Sequence, residues 1–310
     1  MAAKKSVPIA AITCLILTVL FTVFSSTVSS EARRGLELCS SSVIPALFPV
    51  FVINGLLLRL GGAAVMKKLL GGIVSFIFGT PESCAYSVVI GLLSGAPAGV
   101  ISLSASERDG AISWGDAEAS LLACAPLSFP FVYGAIGVGM LGDGRKGLLL
   151  YIIQLTSIAA VSHLLTFGHK RKTAASCVNT FSKMPFSAAF THSLRDALDG
   201  IIGVCGAVVF FSAMSGIVSV LPFLSSGARL FSAALLEVTS GASEICGSLE
   251  GNGAFICLCA AVGWSGVSVI SQCANAVNGR FGIRSLLLGK ALTSLLCALA
   301  GFIASILGVV

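Results

Sequence analysis

The sequence predicts an all-α integral membrane protein that crosses the bilayer several times. The chain of 310 residues is 56% hydrophobic and only 10% charged, and its mean hydropathy is +1.00. Soluble domains carry about 25% charged residues, so this chain has too little polar surface for a water-soluble globule. Its apolar residues form long runs such as Val7–Phe24 and Gly147–Phe167, close to the roughly 20 residues of a spanning helix. Strands of a membrane barrel would instead alternate in polarity over about 10 residues.

The basic residues predict a multi-pass protein of the cell membrane with both termini in the cytoplasm. Lys4 and Lys5 precede the first apolar stretch, and His169–Lys183 is basic and contains no acid. Cytoplasmic loops are enriched in Lys and Arg, and the even number of apolar stretches between the two markers agrees with this. Two re-entrant hairpins in place of spans would preserve the same parity, so the parity does not count the true spans. The net charge of +6 therefore indicates topology, and nucleic acid is not an expected partner.

We divide the chain into four segments. They are an N-terminal transmembrane helix and linker over 1–34, a first repeat over 35–168, a basic cytoplasmic loop over 169–196, and a second repeat with a C-terminal helix over 197–310. We favour a retained first helix because its apolar run exceeds the usual length for a signal peptide. The alternative is a secretory signal cleaved near Ser30.

The two halves share a weak internal similarity. Segments of similar composition follow in the same order: 44–57 with 207–218, 91–99 with 235–244, and 123–131 with 263–272. Several carry polar residues, Gly or Pro within apolar surroundings, which predicts broken or re-entrant helices. Freed backbone groups at membrane depth are tolerated only where they line a cavity. Paired interruptions therefore indicate a transporter binding site at the interface of the repeats near the bilayer midplane; chance composition is the alternative.

Two acids in an apolar segment are the strongest candidates for a solute or ion path. Glu237 and Glu244 are two helical turns apart, so a continuous helix would place them on one face with Ser240 and Gly241. Intramembrane carboxylates are costly and usually functional, although either could lie at the interface. If the helix unwinds near Thr239, its new N-terminus would offer N–H groups to an anion. The acids and freed carbonyls would suit a coupling cation instead.

Polar side chains in other apolar segments complete the predicted substrate-binding set. Ser265, Ser268 and Gln272 have helical spacing and share a face. Hydroxyl and amide groups there could bind a polar solute or form interhelical hydrogen bonds. Asn54 follows two prolines within an apolar run, and Ser94 interrupts a row of glycines. Both are candidates for lining a cavity.

No pattern in the sequence indicates an enzyme. The zinc-protease H-E-x-x-H motif, the G-x-S-x-G elbow and the Walker A loop are all missing from the sequence. We therefore predict no catalytic residues, no metal ligands and no cofactor. The expected partners are a small-molecule solute and the lipid bilayer. A coupling ion, the solute's own gradient or a partner could supply the driving force, and the oligomeric state stays open.

Three segments resemble the YlbJ-type sporulation integral membrane proteins, a group with a nucleoside-recognition or gate domain. They are Ser41–Leu57 (S-S-V-I-P-A-L-F-P-V-F-V-I-N-G-L-L), Gly91–Gly99 (G-L-L-S-G-A-P-A-G) and Leu235–Gly241 (L-L-E-V-T-S-G). The resemblance covers about 35–280 and implies that both repeats are gate-like. Similar proteins often carry an Asn in the segment that here reads A-C-A-P-L-S-F-P-F (Ala123–Phe131), so any role of that amide is missing.

The resemblance implies export of dipicolinic acid during sporulation. The residues by themselves predict only a transporter of a small polar or anionic solute. Two alternatives stay open: a nucleoside-type transporter, and a membrane scaffold that is needed for spore assembly but moves no solute. Hydroxyl and N–H donors would suit a planar dianion, whereas two carboxylates in the same site would oppose it.

Overall fold

The computed structural model describes residues 9–166, 184–222, 224–279 and 282–309, and the regular structure in these ranges is helical. The helices are α1 (Ile9–Val23), α2 (Ser25–Leu38), α3 (Ile44–Arg59), α4 (Gly62–Phe78), α5 (Ala85–Ser94), α6 (Ala96–Arg108), α7 (Trp114–Ser120), α8 (Gly144–Thr166), α9 (Phe186–Ser219), α10 (Ser226–Leu236), α11 (Val238–Ser248), α12 (Gly251–Trp264), α13 (Gly266–Val277) and α14 (Ile283–Ile306). Cys39–Val43 and Pro130–Met140 are π-helical, and Glu82–Cys84 forms a 3₁₀ turn. Lys4, Lys5 and His169–Lys183, the predicted topology markers, lie outside the described residues.

The described helices confirm an all-α, multi-pass membrane protein. Five helices are long and apolar enough to cross a bilayer: Ser25–Arg59, Gly144–Thr166, Phe186–Ser219, Gly251–Val277 and Ile283–Ile306. A sixth candidate is the pair Gly62–Phe78 and Glu82–Ser94, which is bent by 113°. These spans are fewer than the apolar stretches in the sequence, because several stretches form short helices on either side of a break.

Two predicted loop segments are helical. Residues 25–34, predicted as a linker, belong to a helix of 35 residues that runs from Ser25 to Arg59. Hydroxyls bond back to carbonyls within the helix, as Ser30 Oγ does to Thr27 O at 2.9 Å, so a serine-rich stretch need not interrupt it. The predicted basic loop to residue 196 is wrong over its last part, since α9 begins at Phe186 after Pro185.

Two helix pairs turn back on themselves, and we call them hairpin 1 (α5–α6) and hairpin 2 (α10–α11). A Cβ on Gly99 would lie 2.6 Å from Gly91 Cα, and one on Gly241 would lie 2.4 Å from Ala234 Cα. A straight helix would separate either pair by more than about 10 Å. The turns are Gly95, with φ 92° and ψ 177°, and the extended Glu237, with φ −145° and ψ 122°. The predicted broken helices are therefore present.

A second interrupted segment crosses each hairpin. Residues 121–128 are not helical, and we call them the unwound segment. The carbonyl oxygen of Cys124 in this segment would lie 2.2 Å from a Cβ on Gly99. In the other half, α12 and α13 are separated by Ser265 at φ 72°, and a Cβ on Gly266 would lie 3.2 Å from Glu237 Cα. The order of elements thus agrees in both halves, while their origin as repeats stays a prediction.

The long helices surround these four breaks. The helices α2 and α3 pack along α9, and α14 packs against both α8 and α12. Small residues permit the close contact with α9: a Cβ on Gly35 would lie 3.2 Å from Ser212 Oγ, and one on Gly55 would lie 3.1 Å from Ser193 Cβ. Helix pairs in lipid are commonly held by such small-residue contacts. The breaks are therefore enclosed by protein.

Candidate functional site

All four broken segments reach one small cavity of about 50 Å³. Hairpin 1 contributes its turn and the start of α6, and hairpin 2 contributes its turn and the start of α11. The unwound segment and the first turns of α13 complete the wall together with α3 and α9. Its polar side chains are Ser94, Ser128, Glu237, Thr239, Ser268 and Gln272. Five of the ten predicted site residues therefore lie together, and Ser128 is an addition that the sequence did not reveal.

Asn54 joins this group through a hydrogen bond to Ser94, the last residue of α5 before the turn of hairpin 1. Its Nδ2 donates to Ser94 Oγ, and the backbone carbonyl of Asn54 accepts from Tyr86 OH at 3.5 Å. Both side chains are buried, with exposed fractions of 7% for Asn54 and 1% for Ser94. Helix α3 is thereby fixed to the turn at Gly95.

Glu237 caps the N-terminus of α11. Its Oε2 accepts a hydrogen bond from Ser240 N at 2.6 Å, and the side chain is 1% exposed. The first N–H groups of a helix lack intrahelical acceptors and carry partial positive charge, so a carboxylate at this position is stabilised. The Ser240 hydroxyl lies 2.6 Å from Ser212 Oγ of α9. The start of α11 is therefore held twice, by the cap on a backbone N–H group and by a side-chain contact with α9.

Ser268 and Gln272 confirm a shared helix face on α13. Gln272 Nε2 lies 3.5 Å from Ser268 Oγ, and both residues line the small cavity. Ser265 does not belong to this face, because it adopts φ 72° between α12 and α13. Its hydroxyl contacts Lys290 instead and lines neither of the cavities described here.

A wider cavity of about 580 Å³ adjoins the small one. Asn54 lines it, and the residues that line both cavities are Ser94, Pro97, Val204 and Gln272. Asp196 and Asp199 of α9 stand at its wall, and Asp196 forms an ion pair with Arg59 at 2.5 Å. Along α9 the wall of the two cavities extends from Asp196 to Val208, which is about 18 Å of helix.

The predicted shared face for Glu237 and Glu244 is wrong. Glu237 is extended and precedes α11, so helical spacing does not relate the two residues. Glu244 lies outside both cavities, where its Oε1 is 3.8 Å from Arg34 Nη1. Gly241 is likewise absent from the cavity walls, and it serves the close contact with Ala234.

Side chains from neighbouring helices satisfy the carbonyls that the hairpin turns leave free. Tyr151 OH donates to Leu92 O at 3.1 Å near the end of α5, and Trp264 Nε1 donates to Leu235 O at 2.9 Å near the end of α10. The last carbonyls of any helix need such partners, and water is scarce at membrane depth. The sequence offered no spacing signal for these contacts, since donor and acceptor are far apart along the chain.

The unwound segment is also held by buried donors. Lys290 Nζ donates to Ala125 O at 2.5 Å and to Ser265 Oγ at 2.7 Å, and Gln154 Nε2 donates to Leu127 O at 3.5 Å. Lys290 is fully buried. Sequence reasoning missed it as one basic residue in a long apolar stretch, although an intramembrane charge is by default a functional candidate.

The helix N-termini of the two hairpins at the small cavity, those of α6 and α11, differ in their electrostatics. Glu237 places a carboxylate on the start of α11, whereas no side chain caps the start of α6 at Gly95. The N–H groups of Ala96 and Ala98 belong to the first turn of α6, which has no intrahelical acceptors for them, and these residues line the two cavities. Pro97 has no N–H. Of the two hairpins, hairpin 1 therefore presents the uncapped positive end.

We expect Glu244→Gln to have little effect on stability or on any activity of the cavities. Its contact with Arg34 is partly exposed, with side-chain exposed fractions of 40% for Arg34 and 27% for Glu244, and such pairs contribute about 0–1 kcal/mol. The thermal unfolding midpoint of the purified variant should stay close to that of the wild type. A large loss of stability would contradict this placement of Glu244.

The comparisons with known proteins show one similarity. The chain is 24% identical over 210 residues to the sporulation integral membrane protein YlbJ of Bacillus subtilis (strain 168), which covers 61% of this chain and 51% of the relative. The chain thus spans about half the length of the curated relative it matches. No family model matches the sequence, and no solved structure matches it. The chain is a multi-pass membrane protein similar to a sporulation integral membrane protein.

Proposed function

We propose that the protein is a transporter that moves a small polar or anionic solute across the cell membrane. The observation that supports this most is the meeting of four broken segments at one buried polar cavity. Broken helices free backbone groups at membrane depth, where they are tolerated beside a cavity or a bound solute. Transporters place their binding sites at such meeting points.

The wide cavity is the proposed solute site. Its volume of about 580 Å³ falls within the roughly 300–1,000 Å³ typical of small-molecule sites. The small cavity, at about 50 Å³, lies far below that range. The solute would therefore rest against Asn54, Ser94 and Gln272, and the hairpin turns would have to separate before it could pass.

The uncapped start of α6 favours an anion as the solute. Helix N-termini bind anions through free N–H groups and the helix dipole, and the hydroxyl of Ser94 and the amides of Asn54 and Gln272 add donors. The carboxylate of Glu237 repels an anion less than an uncompensated carboxylate would. It caps α11, and the partial positive charge of that helix N-terminus offsets part of its negative charge. Dipicolinate, a planar dianion, fits this chemistry and agrees with the similarity to a sporulation protein.

We place the wide cavity on the cytoplasmic side. Its acidic wall residues Asp196 and Asp199 lie in the first half of α9, which follows the basic segment 169–183. Positive loops stay in the cytoplasm, so this orientation puts the start of α9 on the cytoplasmic side. In this arrangement the protein would accept its solute from the cytoplasm and release it beyond hairpin 2.

Solute flux is the direct test of this proposal. The purified full-length protein in liposomes should pass labelled dipicolinate faster than protein-free liposomes and faster than a nucleoside such as uridine. Preference for the nucleoside would favour the nucleoside-type alternative. If neither solute passes through folded protein, the transport proposal fails and a scaffold role in spore assembly takes its place.

We expect Ser94→Ala to raise the KM for dipicolinate about two- to tenfold. The change removes a hydroxyl at the wall of both cavities and with it one hydrogen bond, which contributes about 0.5–1.5 kcal/mol. Ser104→Ala is the matched control, because Ser104 is an equally buried serine on hairpin 1 that lines neither cavity. Equal effects of both substitutions on KM would remove Ser94 from the site.

A further inference from the structure

Lys290 is a buried ammonium whose hydrogen bonds, within the described part of the chain, go to oxygen atoms of uncharged groups. It lies within α14 and is 0% exposed. Its two acceptors are Ala125 O at 2.5 Å and Ser265 Oγ at 2.7 Å. Among the described residues, the ion pairs within 4.0 Å involve Arg34 and Arg59 and do not include Lys290. A buried charge without a counter-charge is costly, so the stability of the ammonium depends on the oxygen atoms that surround it.

Both acceptors belong to breaks in the two halves of the protein. Ala125 lies in the unwound segment, and Ser265 is the left-handed residue between α12 and α13. Ion-coupled transporters use freed backbone carbonyls of this kind to coordinate Na⁺. The ammonium of lysine is a compact, singly charged cation that donates three hydrogen bonds. It can therefore occupy the same kind of oxygen site as a monovalent metal ion.

We propose that the Lys290 ammonium fills a monovalent-cation site formed by the Ala125 carbonyl and the Ser265 hydroxyl. The protein then carries a tethered cation at a position where an ion-coupled protein would bind Na⁺. The lack of a carboxylate ligand suits a single positive charge, since divalent hard cations such as Ca²⁺ take carboxylate oxygens. The inference does not depend on the identity of the solute or on transport itself.

The site connects the two halves immediately behind the small cavity. Ala125 is followed by Leu127 and Ser128, and Ser265 is followed by Ser268 in the first turn of α13; all three of these following residues line the small cavity. A cation between the two breaks thus holds the cavity wall together. The wild-type protein should need no Na⁺ for its stability, and removal of the lysine should create an empty site that an added cation can fill.

The test compares the thermal unfolding midpoint of the purified full-length protein in different chloride salts at equal ionic strength. For the wild type, the midpoint should be the same in sodium, lithium, methylammonium and choline chloride. For Lys290→Ala it should fall in choline chloride, and sodium, lithium or methylammonium should restore at least half of the loss in a saturable manner. Arg284→Ala is the control, because Arg284 is an exposed basic residue at the start of the same helix and should show no difference between salts.

A second variant tests whether the restored stability comes from this site. Adding Ser265→Ala to Lys290→Ala removes one oxygen ligand and should abolish the recovery. Lys290→Gln retains a donor without the charge and replaces Lys290→Ala if the alanine variant does not fold. Sodium-specific stabilisation of the wild type, equal recovery in the double variant, or a folded Lys290 variant that responds to no cation would overturn the proposal. Failure of both single variants to fold even in concentrated sodium chloride would do the same.

Discussion

A leucine in place of Gly241 is expected to prevent hairpin 2 from closing, so that the protein does not reach its folded state. A Cβ at this position would lie 2.4 Å from Ala234 Cα and 2.7 Å from Ala234 N. Both are backbone atoms, which cannot move away as a flexible side chain could. Gly241→Ala should already destabilise the protein by about 1–3 kcal/mol, the usual cost of overpacking a filled interior. The larger leucine must separate α10 from α11.

The measurement is the yield of monodisperse protein in detergent, followed by its thermal unfolding midpoint. Gly247→Leu is the matched control, since Gly247 lies on the same helix and a Cβ there would meet no atom within 4 Å. That variant should fold at least as well as the wild type, because glycine is a poor helix former. Normal folding of Gly241→Leu would mean that the two arms of hairpin 2 do not cross at Ala234.

The sequence predicted the helical membrane class and the existence of breaks because both follow from local composition. Apolar runs of bilayer length indicate spanning helices, and Gly, Pro and polar residues within them indicate interruptions. Ser94, Glu237 and Gln272 could be named as site residues for the same reason, since each is a polar residue in an apolar setting. The structure places all three at the small cavity.

What the sequence could not supply is the exact position of each break and the partners far along the chain. A helix drawn through 235–248 puts Glu237 and Glu244 on one face, whereas a break at Glu237 separates them. A helix drawn through 265–272 likewise puts Ser265 on the face of Ser268 and Gln272, whereas Ser265 lies at the break before α13. Lys290 meets Ala125 across 165 positions, a contact that depends on how the halves pack and leaves no local pattern.

We expect Glu237→Gln to lower the KM for a dianionic solute by roughly tenfold while leaving the fold intact. The amide oxygen of glutamine can still accept the hydrogen bond from Ser240 N, which the wild-type carboxylate accepts at 2.6 Å, so α11 keeps its cap. The substitution removes a negative charge from the wall of the small cavity. At an effective dielectric constant of about 20, two unit charges some 6 Å apart repel by about 3 kcal/mol. A tenfold change needs only about 1.4 kcal/mol of this.

Two variants separate the charge of Glu237 from its role as a cap. Glu237→Ala removes both, and the loss of an N-cap costs about 0.5–2 kcal/mol, so its unfolding midpoint should fall while that of Glu237→Gln should not. Glu244→Gln makes the same chemical change on α11 outside both cavities and should leave KM unchanged. A drop in KM for Glu244→Gln would show that the general charge of the protein, and not the cavity wall, governs solute affinity.

The sign of the KM change identifies the charge of the solute that the cavity is built for. If Glu237 repels an anion on its path, the gain in affinity for Glu237→Gln should be largest for the dianion dipicolinate, smaller for the monoanion picolinate and absent for uncharged uridine. A rise in KM for dipicolinate would instead mean that Glu237 attracts its solute or a cation that travels with it. In that case the negative charge of Glu237 would be needed for solute binding. The uncapped start of α6 would then not be the anion site.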